Sequence, residues 1–139
     1  MATTILRTPE ETIQFGQTLA ATLESGDVLA LCGELGAGKT HFVKGLAAGL
    51  GAECAVTSPT FTLIHEYRGG RLPLFHADWY RIDEEQDLMK IGIDDYLAED
   101  GIVVVEWADK FRNALPANTR WIEFQILEDS SREVTERGA

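Results

Sequence analysis

The residues of this chain that are best suited to chemistry lie in the segment GELGAGKT, at positions 33–40, which satisfies the pattern G-x-x-x-x-G-K-[ST] in full. Its glycines let the backbone fold around a phosphate group with several N–H groups pointing inward. Lys39 supplies a positive charge for the β- and γ-phosphates, and the Thr40 hydroxyl is placed to ligate Mg²⁺. The pattern therefore predicts a nucleoside triphosphate site. The predicted contacts are Gly33, Glu34, Leu35, Gly36, Ala37, Gly38, Lys39, Thr40 and His41.

Two acidic residues are candidates to complete this site, because a phosphate loop needs a carboxylate that holds Mg²⁺ or orients a water. Glu106 ends the apolar run IVVVE, and a charge in that place is typical of the sheet edge at which ligands bind. Asp78 also ends a predicted strand, in the segment HADWYR, although an Asp there is equally suited to capping loop N–H groups. The sequence leaves open whether Glu106 is a metal ligand, a general base or both.

The pattern of motifs separates the classes of phosphate-loop protein. The chain has no N-K-x-D segment, which a GTPase uses to read guanine. A small-molecule kinase usually clamps its acceptor with several arginines on a lid, and Arg68, Arg71 and Arg81 are candidates, but no lid segment is evident. ATP hydrolysis with water as the acceptor is therefore the leading hypothesis. The alternatives are a small-molecule kinase and a nucleotide-dependent binding module without essential hydrolysis.

Length and composition are those of one globular domain spanning residues 1–139. Apolar residues make up 45% of the chain and charged residues 25%, and the net charge is −11. Strong sequence-independent binding to nucleic acid needs a positive footprint, which is missing here. No window of the sequence is apolar enough for a membrane span, and the first residues do not form a secretory signal, so we expect a cytoplasmic protein. The histidines show no clustered metal-binding pattern, and we interpret them as structural.

The elements that must position these residues follow from hydrophobic periodicity. Thr8, Pro9 and Glu11 begin a helix that Ser25-Gly26 is expected to end. The apolar run 28–32 predicts a buried strand before the glycine loop, and a helix from Lys39 to Leu50 follows the loop. Further predicted elements are short helices near 88 and 94–97, a buried strand at 102–105, a half-buried strand at 121–127 and a last edge strand at 132–135. This order predicts an α/β phosphate-loop NTPase fold of three layers with a mixed, mainly parallel sheet.

A β-hairpin is predicted between Thr60 and Tyr80, with Gly69-Gly70 as a two-residue link. Counting back from that link places Leu63 opposite His76 and Phe61 opposite Asp78. This register brings residues 58–60 close to Asp78.

The motifs together resemble the bacterial TsaE family, the ATPases of tRNA threonylcarbamoyladenosine biosynthesis. GELGAGKT is followed by SPTFTL at 58–63, HADWYR at 76–81 and VEW at 105–107, in the order and spacing of that family. The phosphate loop alone is common to many families, whereas the combination is far more specific. The resemblance covers nearly the whole chain.

The resemblance implies an activity, cofactors and partners. Family members bind ATP and Mg²⁺, hydrolyse ATP slowly alone, and act with two partner proteins that transfer the threonylcarbamoyl group to the adenosine beside the anticodon. Contact with tRNA would be indirect, through those partners. The ATPase itself is not the transferase but is needed for the partner complex to turn over. The acidic domain would then dock on a basic face of that complex.

The resemblance also implies roles for individual residues. Lys39 would hold phosphate, Thr40 and Glu106 would hold Mg²⁺, and Asp78 would lie close to the metal. The segment 58–60, ending at Thr60, would respond to the γ-phosphate as a switch. Further nucleotide contacts are implied at Thr8, Lys110 and Arg132. The predicted catalytic residues are thus Glu106, Lys39 and Asp78, and the predicted metal ligands are Thr40, Glu106 and Asp78.

Overall fold

One mixed sheet runs through the molecule. The computed structural model describes residues 2–33, 38–52, 64–80, 82–90, 93–98 and 100–137. Within these ranges the sheet has the strand order β1-β7-β6-β2-β5-β4-β3. The strands are β1 (Ala2–Leu6), β2 (Val28–Gly33), β3 (Ile64–Tyr67), β4 (Leu74–Asp78), β5 (Ile102–Glu106), β6 (Arg120–Ile126) and β7 (Arg132–Arg137). Strands β6, β2, β5 and β4 are parallel, and antiparallel strands complete both sides.

Helices cover the two faces of the sheet. The helices are α1 (Pro9–Ala20), α2 (Lys39–Leu50), α3 (Asp87–Lys90) and α4 (Ile93–Ala98), and a 3₁₀ segment spans Ala108–Ala114. Helices α1 and α2 pack on one face through residues such as Leu19 and Leu46, whereas α3, α4 and the 3₁₀ segment pack on the other through Leu88 and Ala108. The predicted three-layer α/β phosphate-loop fold with a mixed sheet is confirmed.

Helix α1 begins as predicted and ends early. The Thr8 hydroxyl accepts a hydrogen bond from the Glu11 N–H at 3.1 Å, and Pro9 occupies the first turn. The prediction that the helix continues to Ser25-Gly26 is wrong, because it ends at Ala20. Tight turns follow, with the Leu23 N–H bonded to the Ala20 carbonyl.

Helices α1 and α2 approach each other closely through glycine. A Cβ atom on Gly45 would lie 2.0 Å from the Ile13 carbonyl oxygen, and one on Gly16 would lie 2.4 Å from that of Phe42. Backbones can therefore touch where a side chain would hold them apart. This contact fixes α2, which carries Lys39, against α1, which begins after Thr8.

The hairpin register differs from the predicted one. His65 lies opposite His76, and Ile64 lies opposite Ala77, so the pairing is shifted by two residues. The turn is longer than Gly69-Gly70, because it docks on the end of α2, where the Arg71 N–H donates to the Leu50 carbonyl at 2.6 Å. The predicted pairing of His76 with Leu63 is therefore wrong. Phe61 and the segment 58–60 lie outside the described residues.

The side of the sheet beyond β6 was incompletely predicted. The predicted strand at 132–135 extends to Arg137 as β7, and β7 is not at the edge, because β1 pairs with it. The hydrophobic pattern did not predict β1, because its residues are exposed except for Leu6 and show no apolar alternation. Backbone pairing to β7 decides its conformation. Among the described residues, no helix is long and apolar enough to cross a membrane.

Candidate functional site

The connection between β2 and α2 begins and ends at glycines. Gly33 has a φ of +136°, and a Cβ atom there would lie 2.3 Å from the Phe124 carbonyl oxygen, so no other residue fits this close crossing of β6. Gly38 has a φ of +99° and precedes the first turn of α2. The N–H groups of that first turn have no acceptor within the helix and point out of its positive end. Both glycines thus shape the backbone that leads into the positive end of α2.

Lys39 is buried at the start of α2, with 3% of its surface exposed. Its ammonium group donates a hydrogen bond to the Gly33 carbonyl at 3.0 Å. The same nitrogen lies 4.1 Å from the centroid of the Trp107 ring, within reach of a cation–π contact. The cation is thereby held at the mouth of the connection between β2 and α2.

The two predicted carboxylates are neighbours. Asp78 ends β4 and pairs in register with Glu106, which ends the parallel strand β5. Because they share a register position, their side chains leave the same face of the sheet. This face is the one that α2 covers, so Glu106 and Asp78 lie on the side of Lys39.

The electrostatics of these groups are coupled. Burial lowers the pKa of the Lys39 ammonium, and the Glu106 and Asp78 carboxylates oppose that effect. Burial also raises the pKa of Asp78, and the negative charge of Glu106 raises it further, whereas the Tyr80 N–H, which donates to Asp78 Oδ1 at 2.9 Å, lowers it. The negative charge of Asp78 is therefore disfavoured in the folded protein, and a cation beside it would offset that cost.

The donors at this place fit a hard cation held together with a nucleotide. Glu106, Asp78 and the half-buried Thr40 hydroxyl offer oxygen atoms, the type that Mg²⁺ prefers. Among the described residues, no group of three or more acidic, histidine or cysteine side chains forms a metal cage. Such an arrangement suits Mg²⁺, which usually combines one or two carboxylates with phosphate oxygens and water.

His76 belongs to this constellation, although sequence analysis interpreted it as structural. Its Nε2 lies 2.5 Å from Glu106 Oε2, and both side chains are buried. A signal was available in the sequence, because His76 and Asp78 are two residues apart on one strand and so share a face.

Trp107 leaves the end of β5 with a strained backbone. Its φ of +59° is unusual for a bulky residue, and it turns the chain into the 3₁₀ segment. The exposed Tyr80 ring packs on Trp107 at 5.0 Å between centroids. This geometry holds the indole over Lys39, which makes Trp107 a second residue whose place the sequence alone did not reveal.

A cavity of about 150 Å³ adjoins the start of α2. Its lining includes Thr8, Gly38, His41 and Arg132, which come from three distant parts of the chain. Thr8 and Arg132, implied as nucleotide contacts by resemblance, are thus brought beside Gly38 and the start of α2. Lys110 lies elsewhere, since its ammonium donates to the Tyr80 carbonyl at 2.9 Å and it does not line this cavity.

Several predicted contacts lie outside the described residues. They are Glu34, Leu35, Gly36 and Ala37 in the glycine loop and Thr60 in the segment 58–60.

Comparison with known proteins agrees with the geometry. A sequence model of the family described as "Threonylcarbamoyl adenosine biosynthesis protein TsaE" matches residues 6–134. The chain belongs to the TsaE family. The tRNA threonylcarbamoyladenosine biosynthesis protein TsaE of Bacillus subtilis is 46% identical over 127 residues, which cover 91% of this chain and 79% of that protein. The protein of the same name from Treponema pallidum is 42% identical over 131 residues, covering 94% and 96%.

A solved TsaE-family structure has the same fold. The crystal structure of Bacillus subtilis YdiB superposes with a TM-score of 0.82 at 39% identity, covering 99% of this chain and 84% of that one. The suspected family membership is confirmed. The TsaE-family match reaches from β1 to β7, so it includes Thr8, Lys39, Asp78, Glu106 and Arg132.

Replacing Asp78 with asparagine is expected to stabilise the nucleotide-free protein at neutral pH. Burial raises the pKa of Asp78 above its ordinary value of 3.8, so the folded state favours the protonated form. The cost of ionising Asp78 is absent below the unfolded-state pKa and complete above the folded-state pKa. Urea unfolding should therefore give D78N the larger free energy of unfolding at neutral pH, and a smaller difference as the pH falls towards 3.8. An equal advantage at both pH values would contradict burial of the charge as its source.

Proposed function

We propose that this chain binds ATP with Mg²⁺ and hydrolyses it as the ATPase of tRNA threonylcarbamoyladenosine biosynthesis, working in the cytoplasm. The observation that carries the proposal is the convergence of Lys39, Asp78 and Glu106 beside the positive end of α2. Each comes from the carboxyl end of a parallel strand or the helix that follows one, which is where ligands bind in open α/β sheets.

The phosphates would lie against the first turn of α2. Lys39 would exchange its hydrogen bond to the Gly33 carbonyl for one to the β- or γ-phosphate, at little cost because the side chain is already ordered. The cavity lined by Thr8, His41 and Arg132 would take the nucleoside, since it opens beside Gly38. The free N–H groups and the positive end of the helix dipole are sufficient to bind a phosphate there.

The carboxylates would hold the metal and direct the water. Thr40, Glu106 and Asp78 are the proposed magnesium ligands, and the bound ion would offset charge that develops on the phosphates. Glu106 lies nearly buried, at 6% exposure, where a carboxylate orients a water more firmly than in solvent. Glu106 would thus act on the attacking water, whether or not it also touches the ion.

The contacts of the candidate lid arginines favour hydrolysis over transfer to a small-molecule acceptor. Arg71 donates to the carbonyls of Ala20 and Leu23, which ties it to the end of α1. Arg68 is paired with Glu66. Arg81 lies outside the described residues. The two candidate arginines within the described residues, Arg68 and Arg71, therefore have local structural partners, and neither serves as a clamp on a lid.

The pathway follows from the relatives, whose names state tRNA threonylcarbamoyladenosine biosynthesis. We propose that this chain acts with the two proteins of the threonylcarbamoyl-transfer complex and reaches tRNA through them. A net charge of −11 argues against strong direct binding to nucleic acid and suits a basic face on a protein partner.

An ATPase assay on the purified chain, alone and with the two partner proteins and tRNA, tests the proposal. We expect slow release of phosphate alone and faster release in the complete mixture, because the partners would complete or order the site. Thin-layer chromatography of the products distinguishes the alternatives. Phosphorylation of a small acceptor would support a kinase, and modification of tRNA that continues with a non-hydrolysable ATP analogue would support a binding module.

A further inference from the structure

The buried imidazole of His76 contacts Glu106, the proposed catalytic carboxylate. His76 has no exposed surface, and its Nε2 lies 2.5 Å from Glu106 Oε2. Its other ring nitrogen, Nδ1, is also buried and has no hydrogen-bond partner. Among the described residues, no hydrogen bond reaches Glu106 Oε1. His76 therefore contacts one carboxylate oxygen and leaves the other available.

The unpartnered Nδ1 indicates which nitrogen carries the proton. A buried N–H without an acceptor is costlier than a bare ring nitrogen, because a donor that loses water loses a full hydrogen bond. With the hydrogen on Nε2, the Nε2–H donates to Glu106, and the unprotonated Nδ1 is only an acceptor without a donor. In the opposite tautomer, the buried Nδ1–H would have no acceptor. The unprotonated Nε2 and Glu106 Oε2 would then be two acceptors only 2.5 Å apart.

We propose that His76 is a positioning residue, which donates Nε2–H to Glu106 Oε2 and so aims Oε1 at the metal or the attacking water. The proposal rests on the proposed function of Glu106. A side chain that is locked by a second hydrogen bond keeps its geometry when its ligand is absent, which avoids reorganisation during the reaction. His76 itself does not touch the nucleotide.

A purely structural role for His76 explains less. The neighbouring side chain on the same face of β4, Leu74, is apolar and completely buried, so this layer accommodates leucine. The polar ring of His76 gains no second hydrogen bond to offset its burial, and its ring contact with Tyr67, at 6.4 Å between centroids, would be kept by an apolar residue. The contact that requires an imidazole is the one to Glu106.

Nitrogen NMR of the imidazole tests the hydrogen bond without any nucleotide. In protein labelled with ¹⁵N-histidine, the two-bond correlation pattern of His76 should show a proton on Nε2. A pattern with Nε2 unprotonated would overturn the proposal. The signal is assigned by its loss in H76Q.

Two matched variants test the positioning role. H76Q places an amide N–H near the position of Nε2, whereas the shorter side chain in H76N stops short of Glu106. Calorimetry of ATP binding with Mg²⁺ and with EDTA gives the factor by which Mg²⁺ strengthens binding. We expect this factor to be near wild type in H76Q and to fall about tenfold or more in H76N. Equal factors in wild type, H76Q and H76N would overturn the proposal.

The controls separate this inference from the proposed function. If the wild-type protein shows no Mg²⁺-dependent ATP binding, the proposed function fails, whatever His76 does. If the wild type binds and both variants keep the wild-type factor, only the positioning role fails. Circular dichroism and thermal unfolding establish whether the variants fold. If H76N does not fold, the NMR experiment on the wild type still tests the hydrogen bond between His76 and Glu106.

Discussion

K39M is expected to bind ATP about 100-fold more weakly than the wild-type chain, because a loss of roughly 3 kcal/mol in charge-assisted hydrogen bonds corresponds to that factor. Methionine keeps the apolar stem that packs under Trp107 and removes only the ammonium group. Calorimetric titration with ATP and Mg²⁺ measures the change.

Loss of the fold is not the expected cause of this effect. Burial lowers the pKa of Lys39, so the folded state disfavours the charge that K39M removes. The free energy of unfolding should therefore stay equal or rise in urea titrations. K44M, on an exposed position of the same helix, is the matched control and should bind as the wild type does. Equal ATP affinity in K39M and K44M would contradict the proposed phosphate site.

E106Q is expected to bind ATP in EDTA as the wild type does, to lose part of the strengthening by Mg²⁺, and to lose hydrolysis by about 100-fold or more, the contribution of a positioned general base. Glutamine has nearly the same shape and can still accept the hydrogen bond from His76 through its carbonyl oxygen. What it lacks is the charge that orients or deprotonates the water. Single-turnover release of phosphate from bound ATP measures the chemical step apart from binding.

E133Q is the matched control for a general effect of removing one negative charge. Glu133 lies on β7, partly exposed, and it does not line the cavity beside α2. Hydrolysis by E133Q should match the wild type. If E106Q hydrolyses ATP as fast as E133Q, Glu106 neither holds the metal productively nor directs the water.

Local sequence was sufficient where neighbours along the chain decide the structure. The start of α1 at Thr8, the buried strand β2 and the helix that begins at Lys39 all follow from capping residues and apolar periodicity. The family was also predictable, because its motifs are short and keep their spacing. These features need no information about distant contacts.

Pairings between distant segments were not predictable in the same way. The hairpin register moved by two residues because its turn docks on the end of α2, a contact between segments about twenty residues apart in sequence. Strand β1 was missed because its stability comes from backbone bonds to β7, at the other end of the chain. Neither cause leaves a trace in local hydrophobicity.

The candidate site shows the same division. The sequence by itself determined the chemical groups, since glycine, lysine and threonine at fixed spacing and acids at the ends of apolar strands have few other uses. Only the tertiary structure decided that His76 lies against Glu106, that Trp107 covers Lys39, and that Thr8 meets Arg132 at one cavity. The physical reason is that residue type and local spacing specify what a side chain can donate or accept, whereas strand pairing and helix packing specify which partner it meets.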